Sequence, residues 1–322
     1  AERYTALWDR PVTPAQVLVT AGGINALAAT ALALIEAGDE VLLPDPGWPN
    51  YMSVVALAHG RAIPYPLRPE RGYLPDPAEV AALITPRTKL LLLNTPSNPT
   101  GAVFPAATVA ELVHLATVHD LWVLSDEIYE ALVFDGTHIP AARYDDDGRV
   151  ITVSGCSKTY AMTGWRLGYA IAPPDLIGAL AAVQEALVSC AAAPSQRAAE
   201  AALRGPQGCV TEMRAAYARR RDLVRAVLGP AGLLPTVPQG AFYALVDLRG
   251  LGLTGDALAR ALLDEELVAV APGETFGAGA AGMVRISLAA ADDELAEGCR
   301  RLLAFAARHG GAPRAGSVAG GR

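Results

Sequence analysis

The chain has 322 residues, 52% of them hydrophobic, with mean hydropathy +0.28, enough to bury a large core in about two domains. Its net charge is −7 at pH 7, and no segment gathers Lys and Arg into a strip that would follow a duplex, so a nucleic-acid partner is not expected. No apolar run reaches the ~18 residues of a membrane-spanning helix, AERYTALWDR shows no signal-peptide pattern, and Cys156, Cys190, Cys209 and Cys299 stand apart without C-x-x-C, which predicts a cytoplasmic protein with no membrane partner, disulfide framework or zinc site.

Seven short apolar runs follow one another from Val17: VLVT, VLLP at Val41, AIPY at Ala62, KLLLL at Lys89, WVLS at Trp122, VITV at Val150 and GYAI at Gly168. They read as strands. The segments between them, such as INALAATALALIEAG and PAATVAELVHLATVHD, have helical spacing, and the second follows Pro105, a residue suited to a helix start. This alternation predicts an α/β domain: a mostly parallel seven-stranded sheet with helices on both faces and ligands at the strand ends. After Pro206 come a long helix, the run FYALVDL, a helix near Asp256 to Glu266, the runs LVAVAP and MVRISLA, and a helix from Asp292 to about Arg308. The expected division is therefore a large domain over 1–216, a smaller α+β domain over 217–309 and a disordered tail over 310–322. ARRRD at Ala218–Asp222 and DDDG at Asp145–Gly148 read as a solvated helix face and a solvated turn.

The loops after the strands hold the candidate chemistry. TAGGINALAAT opens a helix directly after VLVT, so Gly22, Gly23 and the N–H of Ile24 either hold an anion at a helix N-terminus or simply make a tight turn. In PDPGWPNY, Trp48 either stacks on a flat ring or fills an interface; in NTPSNPTG, Asn98 either offers its amide to a ligand or shapes a turn. WVLSDEIYE places Asp126 just past an apolar strand, a costly position for an unpaired acid, with Tyr129 three residues on. Finally, SGCSKTYAMTGWRLGYA contains Lys158, one of only two lysines (Lys89 is the other) among 26 Lys and Arg. A chain that uses arginine almost everywhere has reason to keep lysine where a deprotonatable amine is needed.

In this order the motifs GG, PDPGWPNY, NPTG, SDEIYE, SKTYAMTGWRLGY and VRISLA resemble the class I and II aminotransferases, pyridoxal-phosphate enzymes of the aspartate-aminotransferase fold, fold type I. The resemblance implies that Lys158 forms the internal aldimine with pyridoxal 5'-phosphate, that Asp126 partners the pyridine nitrogen, and that Tyr129 and Asn98 donate to the ring's phenolic oxygen. It implies that Trp48 stacks on the ring, that Gly22, Gly23, Ile24, Ser157 and Arg166 lie at the phosphate, and that Arg285 of VRISLA grips the α-carboxylate of the substrate. An amino acid and a 2-oxo acid are then the substrates, and a homodimer is the expected assembly. ALVSCAAAPSQ lacks the second arginine of dicarboxylate-specific members, which predicts neutral or apolar amino donors.

Three features depart from the family pattern. Gly155 stands where a serine is frequent, Ile24 stands where a serine or threonine is frequent, and the first strand is expected almost at the start of the sequence, where the family usually has several dozen residues that include a cover for the substrate. The last point predicts an apolar surface along the domain cleft and leaves a second reading, a truncated or non-catalytic cofactor-binding module, beside that of an active aminotransferase or a related lyase or decarboxylase. GAGAAG at Gly277–Gly282 satisfies G-x-G-x-x-G but lies between two strands and opens no helix, so it is not a dinucleotide site. No metal spacing is present among the five histidines.

Overall fold

A computed structural model describes residues 1–310; the tail expected from residue 310 falls, from 311 onward, outside the described residues. All seven strands predicted before Ala172 form one sheet: β1 (Val17–Thr20), β2 (Glu40–Asp45), β3 (Arg61–Pro66), β4 (Thr88–Asn94), β5 (Trp122–Asp126), β6 (Val150–Gly155) and β7 (Gly168–Ile171). Their order is β1-β7-β6-β5-β4-β2-β3. Pairings β2–β3, β2–β4, β4–β5 and β5–β6 are parallel, whereas β7 runs antiparallel to both β6 and β1. The reversal has a local cause. A parallel return needs a crossover, usually a full helix, but residues 156–167 hold only the one-turn helix α6 (Cys156–Thr159) and a 3-10 turn at Thr163–Trp165. The chain therefore doubles back, and the residues between β6 and β7 stay at the end of the sheet where the parallel strands finish.

Helices cover both faces. α1 (Glu2–Trp8), α4 (Pro77–Ala81) and α5 (Ala106–Val118) lie over one, and α2 (Gly23–Leu34), α3 (Asn50–Leu57) and α7 (Pro174–Val188) over the other. Strand β4 shows why its run is continuously apolar: Leu91 and Leu93 pack with Tyr4, Leu112 and Val113, while Leu90 and Leu92 pack with Ala26, Val54 and Leu180. Both faces of the pleat are interior.

α8 (Ala193–Arg204) leads to α9 (Gly208–Leu228), which crosses the 216/217 junction without a break; Met213 packs near Tyr129, and Val224 and Leu228 enter the core of a second sheet. That sheet has the order β8 (Tyr243–Asp247), β10 (Met283–Ser287), β9 (Ala271–Pro272), all antiparallel, covered by α9, α10 (Gly255–Glu266) and α11 (Asp292–Arg308). LVAVAP contributes only Ala271 and Pro272 to it, because Leu267 adopts a left-handed backbone (φ 55°) to end α10 and the next residues stay out of the ladder. The basic run in α9 is not simply a solvated face: Arg219 and Arg220 pair with Asp292, but Arg221 turns inward, 8% exposed at its side chain, onto Asp135 and the Pro238 carbonyl.

Candidate active site

The C-terminal ends of β2, β4, β5 and β6 face the same side of the sheet, and β1 also ends there because Thr20 pairs with Gly168 at the start of β7. A cavity of about 340 Å³ opens at this edge and extends to β8 and β10. Of the eleven residues singled out in the sequence, Gly23, Ile24, Trp48, Asn98, Asp126, Tyr129, Ser157, Lys158, Arg166 and Arg285 line it. Gly22 does not. It stands behind Arg166, with φ 84°, and a Cβ there would lie 2.5 Å from Arg166 Nη2.

Asp126, 4% exposed, ends β5. Its Oδ2 accepts from Tyr51 Oη at 2.8 Å and its Oδ1 from the Ile128 N–H at 3.2 Å. Burial pushes its carboxyl up from 3.8 to about 6; the two hydrogen bonds and nearby Lys158 oppose this, and Glu127 adds to it. Lys158, in α6, moves the other way. Burial lowers its proton affinity, the cations Arg285 and Arg166 lower it further, and Asp126 opposes them. Arg285 comes from β10 of the second sheet: its guanidinium lies 4.1 Å from the Tyr243 ring centroid and 4.5 Å from that of Phe276, and its Nη1 donates to Asn98 Oδ1 at 2.9 Å. Its Nε is buried without a partner among the described residues. Asn98 is held in turn by Asn94, the last residue of β4, whose Oδ1 accepts the Asn98 N–H at 2.9 Å.

The anionic end of a ligand would meet different groups. α2 begins at Gly23, so its first N–H groups lack intrahelical acceptors, and Arg166 leans over that turn, its Nη1 donating to the Thr163 carbonyl at 3.1 Å. Gly168 is required here: a Cβ on it would collide with the backbone of Gly22 and Gly23. The departure at Gly155 has the same origin, since a Cβ there would stand 2.8 Å from both Gly168 Cα and the Leu167 carbonyl oxygen. β7 passes too closely for any side chain.

Sequence reasoning missed Tyr51, Thr163 and Tyr243, all in the cavity wall. Tyr51 sits in the quoted PDPGWPNY, and its ring meets Trp48 edge-on at 5.5 Å. Its role was hidden because Asp126 lies 75 residues away. Behind the site, the loop after β5 is tied down by Glu127, which binds His138 (2.9 Å), Ser125 (2.9 Å) and the Ala141 N–H (3.0 Å), and by Glu130, which binds Arg3 and Tyr4 of α1 at 2.8 Å each. Glu127, Glu130 and His138 are near enough to share a metal ion, but these bonds already occupy both carboxylates, and Arg3 supplies the cation.

The family model for aminotransferase class I and II matches residues 2–302. The arginine–pyruvate transaminase of Pseudomonas aeruginosa is 42% identical over 313 residues, 95% of this chain and 79% of that protein. The aspartate/prephenate aminotransferase of Cereibacter sphaeroides is 41% identical over 310 residues, covering 92% and 77% of the two chains. Among solved structures, Thermus thermophilus aspartate aminotransferase with maleate superposes with TM-score 0.90 at 39% identity, covering 94% of this chain and 78% of that one. With that family model spanning residues 2–302, relatives at about 40% identity over most of the chain and the fold superposing at TM-score 0.90, the chain belongs to the class I and II aminotransferase family and is an aminotransferase.

Proposed function

We propose that the cofactor is pyridoxal 5'-phosphate and that Lys158 carries it while an amino group passes between an amino acid and a 2-oxo acid. The observation that supports this best is the convergence of a low-affinity amine, a buried carboxylate and two arginines on one cavity. The donor set fits the group. Gly23, Ile24, Ser157 and Arg166 offer N–H, hydroxyl and guanidinium groups to a phosphate; Asn98 and Tyr129 suit a phenolic oxygen; Trp48 suits a ring face; and Asp126, which no cation fully neutralises, suits a protonated ring nitrogen. When bound, the cofactor supplies an electron sink for the charge left at the substrate Cα.

The chain's own residues supply the rest. Asp126 keeps a proton on its partner nitrogen by holding a negative charge in a dry pocket, where Tyr51 and the Ile128 N–H share that charge. Arg285 presents a planar fork to the α-carboxylate and so orients the Cα–H bond toward Lys158. Lys158, biased toward the neutral amine, takes up that proton and returns it. Among the described residues, the only cations in the wall are Lys158, Arg166 and Arg285, with Leu27, Tyr51 and Tyr243 filling much of the remainder, which supports neutral or apolar donors. A homodimer is supported by exposed apolar side chains beside the site loops, Met52 past Trp48 and Trp165 next to Arg166, at 61% and 49% exposure. Four free cysteines fit a reducing cytoplasm, and no helix of the described residues is long and apolar enough to cross a membrane. Titration with pyridoxal 5'-phosphate, borohydride reduction and peptide mapping test the central assignment: the pyridoxyl group is expected on Lys158, and a label on exposed Lys89 instead would overturn it.

A further inference from the structure

The GAGAAG loop, which is no dinucleotide site, is a docking element. It links β9 to β10 and is pinned at its base by Glu274, whose Oε1 accepts the N–H groups of Gly255 (2.7 Å) and Gly282 (3.0 Å). Its tip reaches the main sheet. There Asp45, at the end of β2, accepts the Gly279 N–H through Oδ1 at 2.9 Å and is also hydrogen-bonded by the backbone of Ala278, while the Gly47 N–H donates to the Phe276 carbonyl at 2.8 Å. The glycines answer to Asp45. Gly277 has φ 122° and a Cβ on it would collide with Asp45 Oδ1; a Cβ on Gly279 would stand 3.0 Å from the Asp45 carbonyl oxygen.

Phe276, held by this dock, is one of the two rings against which Arg285 lies. Arg285 belongs to the second sheet and Lys158 and Asp126 to the first, so the distance between the carboxylate grip and the proton-transfer groups depends on what joins the two. The links at the cavity include ring contacts of Tyr129 with Phe242 and Tyr243, but those that hold Arg285 and its loop are the Arg285–Asn98 hydrogen bond and the Asp45 dock.

We propose that Asp45 is a positioning residue for the substrate's α-carboxylate: by holding the Gly277–Gly279 turn it sets Phe276 against Arg285 and fixes Arg285 relative to Lys158. This rests on the reading of Arg285 as the carboxylate ligand. Asp45 does not line the cavity, so it acts through the loop and not on substrate.

The test compares Asp45→Ala, Asp45→Asn and Arg285→Ala in the holoenzyme. Asp45→Ala removes the acceptor of two N–H groups; it is expected to raise the donor KM and the Kd of the unreactive carboxylate 3-phenylpropanoate about tenfold, with the cofactor absorbance little changed. Hydrogen exchange should quicken in peptides covering 273–282. Asp45→Asn keeps Oδ1 as acceptor and should restore KM, Kd and exchange to near the parent values. If Arg285→Ala raises the donor KM but Asp45→Ala leaves KM and Kd unchanged, or if Asp45→Ala loses cofactor and substrate binding together, the proposal is overturned. If Arg285→Ala itself leaves KM unchanged, the reading of Arg285 fails first and takes the proposal with it, a result distinct from the other two.

Discussion

Tyr51→Phe isolates the hydrogen bond that shares the charge of Asp126. In the cofactor-free fold, burial raises this carboxyl from 3.8 to about 6, so across that window the folded chain keeps a proton that the unfolded chain has released. Stability from this group is therefore full below the window and is lost as pH rises through about 6; ionising Asp126 in the fold costs ~3 kcal/mol. The bond from Tyr51, 2.8 Å long and made to a charged acceptor, offsets part of that cost, and bonds of this kind contribute about 1.5–3 kcal/mol. Without it the window should extend upward by about one pH unit. Urea denaturation of the cofactor-free protein at pH 5 and pH 8 measures the effect. Tyr51→Phe should cost ~1.5 kcal/mol more at pH 8 than at pH 5, because at pH 5 the carboxyl is largely neutral in both proteins. With the cofactor added, the acid limb of its binding curve should move up in pH by a similar amount. A stability difference that is the same at both pH values would mean that Tyr51 serves packing alone and would refute the account of Asp126.

Other substitutions probe separate features. Lys158→Arg should abolish turnover while leaving the melting temperature within a few degrees, because arginine keeps the charge but gives up no proton; measurable transamination by that variant would remove Lys158 from proton transfer. Gly155→Ser, which restores the residue frequent in the family, should destabilise by ~1–3 kcal/mol in thermal melts, since its Cβ meets Gly168 and Leu167 at 2.8 Å; an unchanged melt would show that β7 yields easily. In a donor panel, kcat/KM should favour leucine, alanine or aromatic amino acids over aspartate by about tenfold or more, the worth of one unmatched charged contact; equal values would show that a second cation reaches the cavity.

What was legible in the sequence divides along chain distance. The seven strands of the main sheet announce themselves as short apolar runs, because a strand buried on both faces has no polar alternation to hide it. Most site residues are legible for a related reason: Gly22 to Ile24, Trp48, Asn98, Asp126, Tyr129 and Lys158 sit at the end of one of those runs or just after it, where the parallel topology collects loop residues at one edge, whereas Arg285 lies within β10 of the second sheet. The pieces that escaped depend on partners far along the chain. Tyr51 acquires its role from Asp126, 75 residues on, and Asp45 from Gly279, 234 residues on. Helix α1 escaped because seven residues carry too short a pattern, though Tyr4 and Trp8 at spacing four form its buried side. LVAVAP reads as a strand from its composition, yet the left-handed turn at Leu267 uses up its start. Arg221 looks solvated in ARRRD because only the fold reveals Asp135 and the Pro238 carbonyl on its other side.

The scarcity of lysine gains a physical sense from the cavity. Arg285 and Arg166 are permanent charges, and both press on Lys158; with burial they bias it toward the neutral amine, a state arginine does not reach at any working pH. The two arginines need not press equally throughout a turnover. On the proposed reading, a phosphate would stay beside Arg166 while the cofactor stays, whereas a carboxylate would reach Arg285 only with substrate and there offset that arginine's effect on the amine. The proton affinity of Lys158 would therefore rise when substrate occupies the cavity. Once the substrate amine has displaced it from the cofactor, Lys158 would be the stronger base while a Cα–H bond stands before it. On the proposed reading one arginine would both orient the substrate and time the base, provided that its distance to Lys158 is held, and that distance spans two sheets whose links at the cavity include the Arg285–Asn98 and Gly279–Asp45 hydrogen bonds.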